Sequence, residues 1–172
     1  DSDVRLGNFI GDSVKGNKLN DYPESVAAGI RFHRWVDHFA DGHPPASHAR
    51  AALRHRLGRL APVGVDLLYD HFLAKHFSFC CPDLGELESY AKLVLEDLAT
   101  RKMEMPLRSQ RFFEGMRQYN WLTGYATELE MQEVCLAMDQ RIAKRLGVPS
   151  NLGELFIAAE EFGWSKLEDE FF

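Results

Sequence analysis

The sequence predicts an all-helical protein, and three observations carry that reading. Apolar residues recur at three- and four-residue spacing in most segments. Prolines and glycines punctuate the chain at helix-length intervals. No segment alternates apolar and polar residues as a half-buried strand does. At 172 residues the chain is long enough to bury a core without staples, so one helical domain of about seven or eight helices is expected over residues 1–172.

The punctuation places the elements in order. The first helix runs from about Val4 to Lys15, with Val4, Leu6, Phe9, Ile10 and Val14 as its apolar positions, and Gly16-Asn17 ends it. Pro23 opens a second helix to Asp41, closed by Gly42 and Pro44-Pro45. These prolines start a third, to Arg59. Pro62 starts a fourth that buries Val63, Leu67, Leu68, Phe72 and Leu73 and ends near Phe79. Pro82-Asp83 begins a fifth, carrying Leu84, Leu87, Tyr90, Ala91, Val94, Leu95 and Leu98. A shorter helix follows Pro106 to Tyr119, and the stretch from Asn120 to Tyr125 reads as a tight junction. Two last helices span Glu128 to Leu146 and Asn151 to Lys166.

Composition narrows the function classes. With 45% hydrophobic and 27% charged residues the chain falls among globular rather than disordered proteins. It has no run of eighteen apolar residues, so no membrane span is expected. Asp1-Ser2-Asp3 is acidic and precedes no apolar stretch, so no signal peptide is expected. Three cysteines, with Cys80 and Cys81 adjacent, suit neither a disulfide framework nor a thiolate zinc site and favour a reducing cytoplasm. The net charge of −6 argues against general nucleic-acid binding but conceals an asymmetry. From Gly42 to Val65 there is no acidic residue, while Arg50, Arg54, Arg56 and Arg59 give that stretch +4 and leave −10 for the remainder. Such a patch suits an acidic partner; the alternative is a solvated helix face whose arginines pair with carboxylates elsewhere.

Metal chemistry needs several N or O ligands at one point, and a helix supplies two from positions four apart. In the second helix His33, Asp37 and Asp41 are spaced i, i+4, i+8. Asp12 of the first helix and Asp70 of the fourth sit among apolar residues, with His71 next to Asp70. Imidazole with carboxylates and no thiolate suits Mn²⁺, Fe²⁺ or Mg²⁺. Each of these residues also has an ordinary reading, as a packed histidine, a turn carboxylate or a surface ion pair, and spacing alone leaves the choice open. His38, His48, His55 and His76 lack carboxylate company and are read as surface or packing residues. The chain has no H-E-x-x-H, G-x-S-x-G, phosphate-binding glycine loop or C-x-x-C. No histidine follows a Glu at the three-residue spacing of di-iron bundles.

Three segments resemble blocks of the acyl carrier protein phosphodiesterase family. Gly7-Asn8-Phe9-Ile10-Gly11-Asp12-Ser13-Val14-Lys15-Gly16 is similar to its G-N-x-(hydrophobic)-x-D-x-(hydrophobic)-x-G block. The stretch from Gly29 to Pro44, with His33-Arg34, Asp37 and Asp41, is similar to G-I-x-x-H-R-x-(hydrophobic)-D-x-x-x-D-x-x-P. Tyr69-Asp70-His71-Phe72-Leu73 resembles the D-H-F-L block. The order is right and the match covers about residues 7 to 75, while the C-terminal hundred residues add compatible helicity.

The resemblance implies an all-helical, unorthodox HD-type metal phosphohydrolase that uses a divalent metal, with Mn²⁺ favoured. It hydrolyses the phosphodiester joining 4′-phosphopantetheine to a serine of holo-acyl carrier protein. Carried over by motif, Asp12, His33, Asp37 and Asp70 are the metal set. The usual HD string places His before Asp in its adjacent pair, whereas here the order is Asp70-His71. Family members begin with a Met-Asn-x-(hydrophobic)-Ala-His segment, so the chain is read as lacking that N-terminal piece.

The implied mechanism is metal-assisted attack of water on phosphorus. In it His71 or His43 passes a proton to the leaving serine oxygen, and Asp41 is counted with them as a catalytic candidate. Lys15 and Arg34 are the candidates to hold the phosphate, Lys15 reading equally well as an ordinary cation at a helix C-terminus, and Arg50 and Arg54 belong to the carrier-protein surface. Two rivals remain on the same residues. One is a phosphohydrolase of a nucleotide or other small phosphoester, and the other is a non-catalytic helical module that binds an acidic protein.

Overall fold

Among the described residues the chain forms eleven α-helices with short 3₁₀ turns between them and is 86% helical. The computed structural model describes residues 1–147 and 150–172, and it has no strand among them. In chain order the helices are α1 (Ser2–Ile10), α2 (Glu24–Gly42), α3 (Pro44–Leu57), α4 (Ala61–Lys75), α5 (Phe77–Cys80) and α6 (Leu87–Thr100). They continue with α7 (Leu107–Gln118), α8 (Trp121–Gly124), α9 (Glu128–Leu146), α10 (Leu155–Phe162) and α11 (Trp164–Phe171). None is long and apolar enough to cross a membrane among the described residues. The expected all-α class is what the structure shows. The contacts within the chain gather into two compact units, 1–41 with 88–120 and 42–87 with 121–172.

Several expected helices are interrupted. The first was expected to reach Lys15, but α1 stops at Ile10, and 3₁₀ turns at Gly11–Ser13 and Gly16–Asp21 follow. Gly16, which opens the second of these turns, takes the left-handed φ of 59° that glycine adopts without strain. The fourth ends at Lys75, with the single turn α5 continuing to Cys80. The last divides at Gly163, whose φ of 110° separates α10 from α11. The junction from Asn120 to Tyr125 contains the one-turn helix α8.

The first unit is built on the crossing of α1 and α2. A Cβ on Gly7 would stand 2.0 Å from the Val26 carbonyl oxygen, and one on Gly29 would stand 2.2 Å from that of Val4. Only bare glycines let the two backbones meet this closely. Leu6, Ile10, Val26, Ala27 and Ile30 bury fully around the crossing, each large aliphatic chain contributing about 1.5–3 kcal/mol of transfer free energy. Phe9 packs edge-on against Phe113 of α7. Asp97 of α6 accepts hydrogen bonds from Ser2 and Arg5, and Asp3 pairs with Arg101, so charged groups fasten the outer end of α1. These partners hold both carboxyls below the usual range, Ser25 then Arg101 acting on Asp3 and Ser2 then Arg5 on Asp97.

In the second unit α3 packs between α4 and α10. Leu53, Leu57, Ala61, Leu68, Phe72, Leu155, Ala158, Ala159 and Leu167 form its buried apolar centre. Asp139 of α9 accepts from the backbone N–H groups of Leu152 and Gly153, both at 2.7 Å, which secures the turn before α10. Phe72, Phe156 and Trp164 lie ring against ring beside it.

Candidate metal centre

The close crossing of α1 and α2 decides where the first carboxylate goes. Because α1 ends at Ile10, the turn Gly11–Ser13 bends back along α2 and presents Asp12 to the side that carries His33 and Asp37. Gly11 lies directly against the His33 ring: a Cβ there would be 2.3 Å from Cδ2 and 2.4 Å from Cγ. The imidazole therefore occupies the space that a side chain at position 11 would fill.

Asp12, His33 and Asp37 each offer a ligand atom, and the three atoms lie within 4.8 Å of one another. His33 Nε2 stands 3.4 Å from an Asp12 oxygen and 3.3 Å from an Asp37 oxygen. Two donors bound at about 2.0–2.2 Å to one ion, at tetrahedral or cis-octahedral angles, lie about 2.8–3.6 Å apart. The His33 nitrogen is buried and makes no hydrogen bond, an arrangement that ordinarily costs stability. Both carboxylates are exposed, so the centre opens to solvent on one side. The donors therefore fit a divalent cation. A carboxylate-rich set with one imidazole favours Mn²⁺, Mg²⁺ or Fe²⁺ over thiophilic metals.

The other predicted residues fall in different places. Asp41 is exposed one turn further along α2 and stands outside the three-residue cluster. Lys15 is exposed, on the extended link before the second 3₁₀ turn. Arg34, expected to hold phosphate, donates from Nη2 to the carbonyl oxygens of Val14 at 2.6 Å and Gly16 at 3.2 Å. His43 is exposed at the N-cap position of α3.

Asp70 and His71 lie on α4, in the second unit. Asp70 is exposed by its accessible surface, yet the protein around its carboxyl is dense enough to desolvate it. That desolvation, with Asp66 one turn back, pushes its pKa up to about 7. His71 is only 1% exposed and packs against Phe72, Phe156 and Trp164. Its Nδ1–H donates to the Tyr125 carbonyl oxygen at 2.7 Å, and burial favours the neutral ring. Its Nε2, like that of His33, is buried and makes no hydrogen bond, here among aromatic rings.

The arginine stretch divides in the same way. Arg56 is committed to Glu161 and Glu154, and His55 also meets Glu161, at 2.9 Å. Arg50 donates to Ser47, whereas Arg54 and Arg59 are exposed and make no ion pair among the described residues. His48 and His76, expected to lack carboxylate company, instead face Glu170 and Glu168, as His55 faces Glu161, because these glutamates come from distant helices.

One contact had no signal in the sequence. Ser109, buried on α7, donates to Ser13 Oγ at 2.7 Å, beside Asp12.

Fold and site together define an all-helical protein with an open imidazole–carboxylate centre suited to a divalent metal. The family model described as acyl carrier protein phosphodiesterase matches residues 1–171. A protein of Salmonella paratyphi A named acyl carrier protein phosphodiesterase is 33% identical over 135 residues, covering 78% of this chain and 69% of its own. A protein of the same name from Salmonella dublin is 32% identical over the same shares. The chain belongs to the acyl carrier protein phosphodiesterase family, a class of hydrolases. No solved structure matches it.

Proposed function

We propose that this protein removes 4′-phosphopantetheine from holo-acyl carrier protein by hydrolysing the phosphodiester to the carrier's serine, in the cytoplasm and with a divalent metal, Mn²⁺ foremost. The observation that carries the reading is the buried, unbonded His33 Nε2 set between Asp12 and Asp37, in a chain whose relatives bear the name of that activity. On motif resemblance alone, we keep the likeness to HD-type phosphohydrolases and Asp70 as a fourth ligand.

A cation at this centre would supply positive charge for the phosphoryl oxygens and lower the pKa of water, from about 16 in bulk towards neutrality. The residues do the rest. Asp12 and Asp37 are exposed on one side, where an anionic diester could approach if a bound cation offset their charge. Lys15 is exposed on the same turn segment and can meet the phosphate. Of the two proton donors proposed for the leaving serine oxygen, exposed His43 is the accessible one, and buried His71 is better placed to support the packing of α4. Arg54 and Arg59 are the arginines available to an acidic carrier.

The test is mass spectrometry of holo-acyl carrier protein after incubation with the enzyme and Mn²⁺. Loss of the phosphopantetheine mass, abolished in Asp37→Asn, is the expected result. Turnover of a nucleotide with the carrier untouched would favour the small-phosphoester reading. No release from the carrier or from a model diester would favour a binding module.

A further inference from the structure

We propose that Arg34 is a positioning residue of the metal centre: its guanidinium fastens the segment after Asp12 to α2 and so aims the Asp12 carboxylate at His33 Nε2. The inference rests on the reading of Asp12, His33 and Asp37 as metal ligands. His33 and Asp37 need no help, since both stand on one helix with a fixed 1.5 Å rise per residue. Asp12 is different. It is exposed on a three-residue turn, and the chain then runs through extended Val14 and Lys15 to the left-handed Gly16.

What holds this segment is side-chain chemistry. Arg34 follows His33 directly and donates from one nitrogen to the carbonyls two and four residues beyond Asp12. Ser109 grips the intervening Ser13 from α7, and Val14 is buried. Ligand and fastener thus sit side by side on one rigid helix. Fixing the loop against Arg34 fixes the distance from Asp12 to His33.

The sign of the effect separates this role from simple electrostatics and from phosphate binding. A guanidinium near a dication repels it, so if charge alone mattered its removal would tighten metal binding. If Arg34 bound phosphate, its removal would weaken inhibition by inorganic phosphate and leave the metal affinity unchanged. If it positions Asp12, its removal loosens the metal by about 10–100-fold, the usual cost of deleting a group that orients a ligand.

The experiment is Mn²⁺ titration followed by the electron paramagnetic resonance signal of the free ion. It uses the wild type, Arg34→Ala, Arg34→Lys, Asp12→Asn and the Arg34→Ala/Asp12→Asn double variant, each checked for helicity by circular dichroism. The expected result is a Kd at least tenfold higher in Arg34→Ala. Arg34→Lys, which can reach one carbonyl as a point donor, should fall between. On the Asp12→Asn background, Arg34→Ala should change the Kd less than twofold, because the effect passes through Asp12. Unchanged or tighter Mn²⁺ binding in Arg34→Ala would overturn the inference, as would an equal loss on the Asp12→Asn background. Should Arg34→Ala not fold, a wild-type Kd in folded Arg34→Lys with a raised inhibition constant for phosphate overturns it equally. A wild type that binds no Mn²⁺ would sink the metal reading itself, which separates the two failures.

Discussion

Placing alanine at position 11 is the sharpest perturbation of the centre, because the substitution is small and its collision is specific. The new Cβ would lie 2.3 Å from His33 Cδ2, 2.4 Å from Cγ and 2.7 Å from Cβ. These atoms form the root of the imidazole rather than a flexible tip, so rotation about a terminal bond gives no relief. Restoring a carbon–carbon separation of about 3.5 Å requires a displacement of roughly 1.2 Å. A metal site tolerates about 0.2 Å of error in its ligand distances. The ring must therefore leave its position between Asp12 and Asp37, or the turn must carry Asp12 away.

Overpacking of this kind costs about 1–3 kcal/mol, which for a chain of this size lowers Tm by roughly 2–12 °C. Mn²⁺ affinity should fall by at least 10–100-fold. Isothermal titration with Mn²⁺, beside thermal denaturation of the metal-free protein, measures both. Gly42→Ala is the control, since its Cβ would meet nothing within 4 Å. A folded Gly11→Ala protein that binds Mn²⁺ within twofold of wild type would refute the assignment of His33 as a ligand in the geometry described.

Three further predictions follow from other contacts. Gly29→Ala drives a Cβ against the backbone of α1, at 2.2 Å from Val4 O and 2.9 Å from Gly7 Cα. It should destabilise by about 1–3 kcal/mol or more, read as a lower denaturant midpoint. Replacing Arg54 and Arg59 with Glu should raise KM for holo-acyl carrier protein, more so at low salt, and leave a small diester unaffected. Arg56→Glu, by breaking its pairs with Glu161 and Glu154, should lower Tm instead.

The last concerns pH. Glu161 is held down to about 2 by Arg56 and then His55, so its contribution is present above its ordinary value of 4.5 and fades as pH falls towards 2. His55 is raised, chiefly by Glu161, so its contribution is present below 6.5 and fades as pH rises through the raised value. The link between α3 and α10 is therefore firmest between about pH 4.5 and 6.5. Glu161→Gln should flatten the Tm–pH curve on both limbs, and an unaltered curve would dismiss the pair.

How much was legible in the sequence depended on the range of the interaction concerned. Helix content follows from local periodicity and from proline and glycine punctuation, so the α class and the span from Glu128 to Leu146 could be read directly. Helix ends were less legible. Nothing local in the first segment announces that α1 stops at Ile10, and the long last helix hid its break at Gly163.

The i, i+4 spacing of His33 and Asp37 puts both on one face whatever surrounds them, and the motif resemblance singled out Asp12 beside them. The sequence by itself thus determined the helical class, the family blocks and the pair on α2. What only the tertiary structure decided was proximity between distant segments. It brings Asp12 to His33 through a glycine crossing at Gly7 and Gly29. It turns Arg34 to the loop carbonyls, buries His71 among aromatic rings and commits Arg56 to Glu161. The physical reason is that spacing along a chain fixes direction only within one helix. Which charge meets which partner across helices is set by packing, and here packing depends on two positions having no side chain.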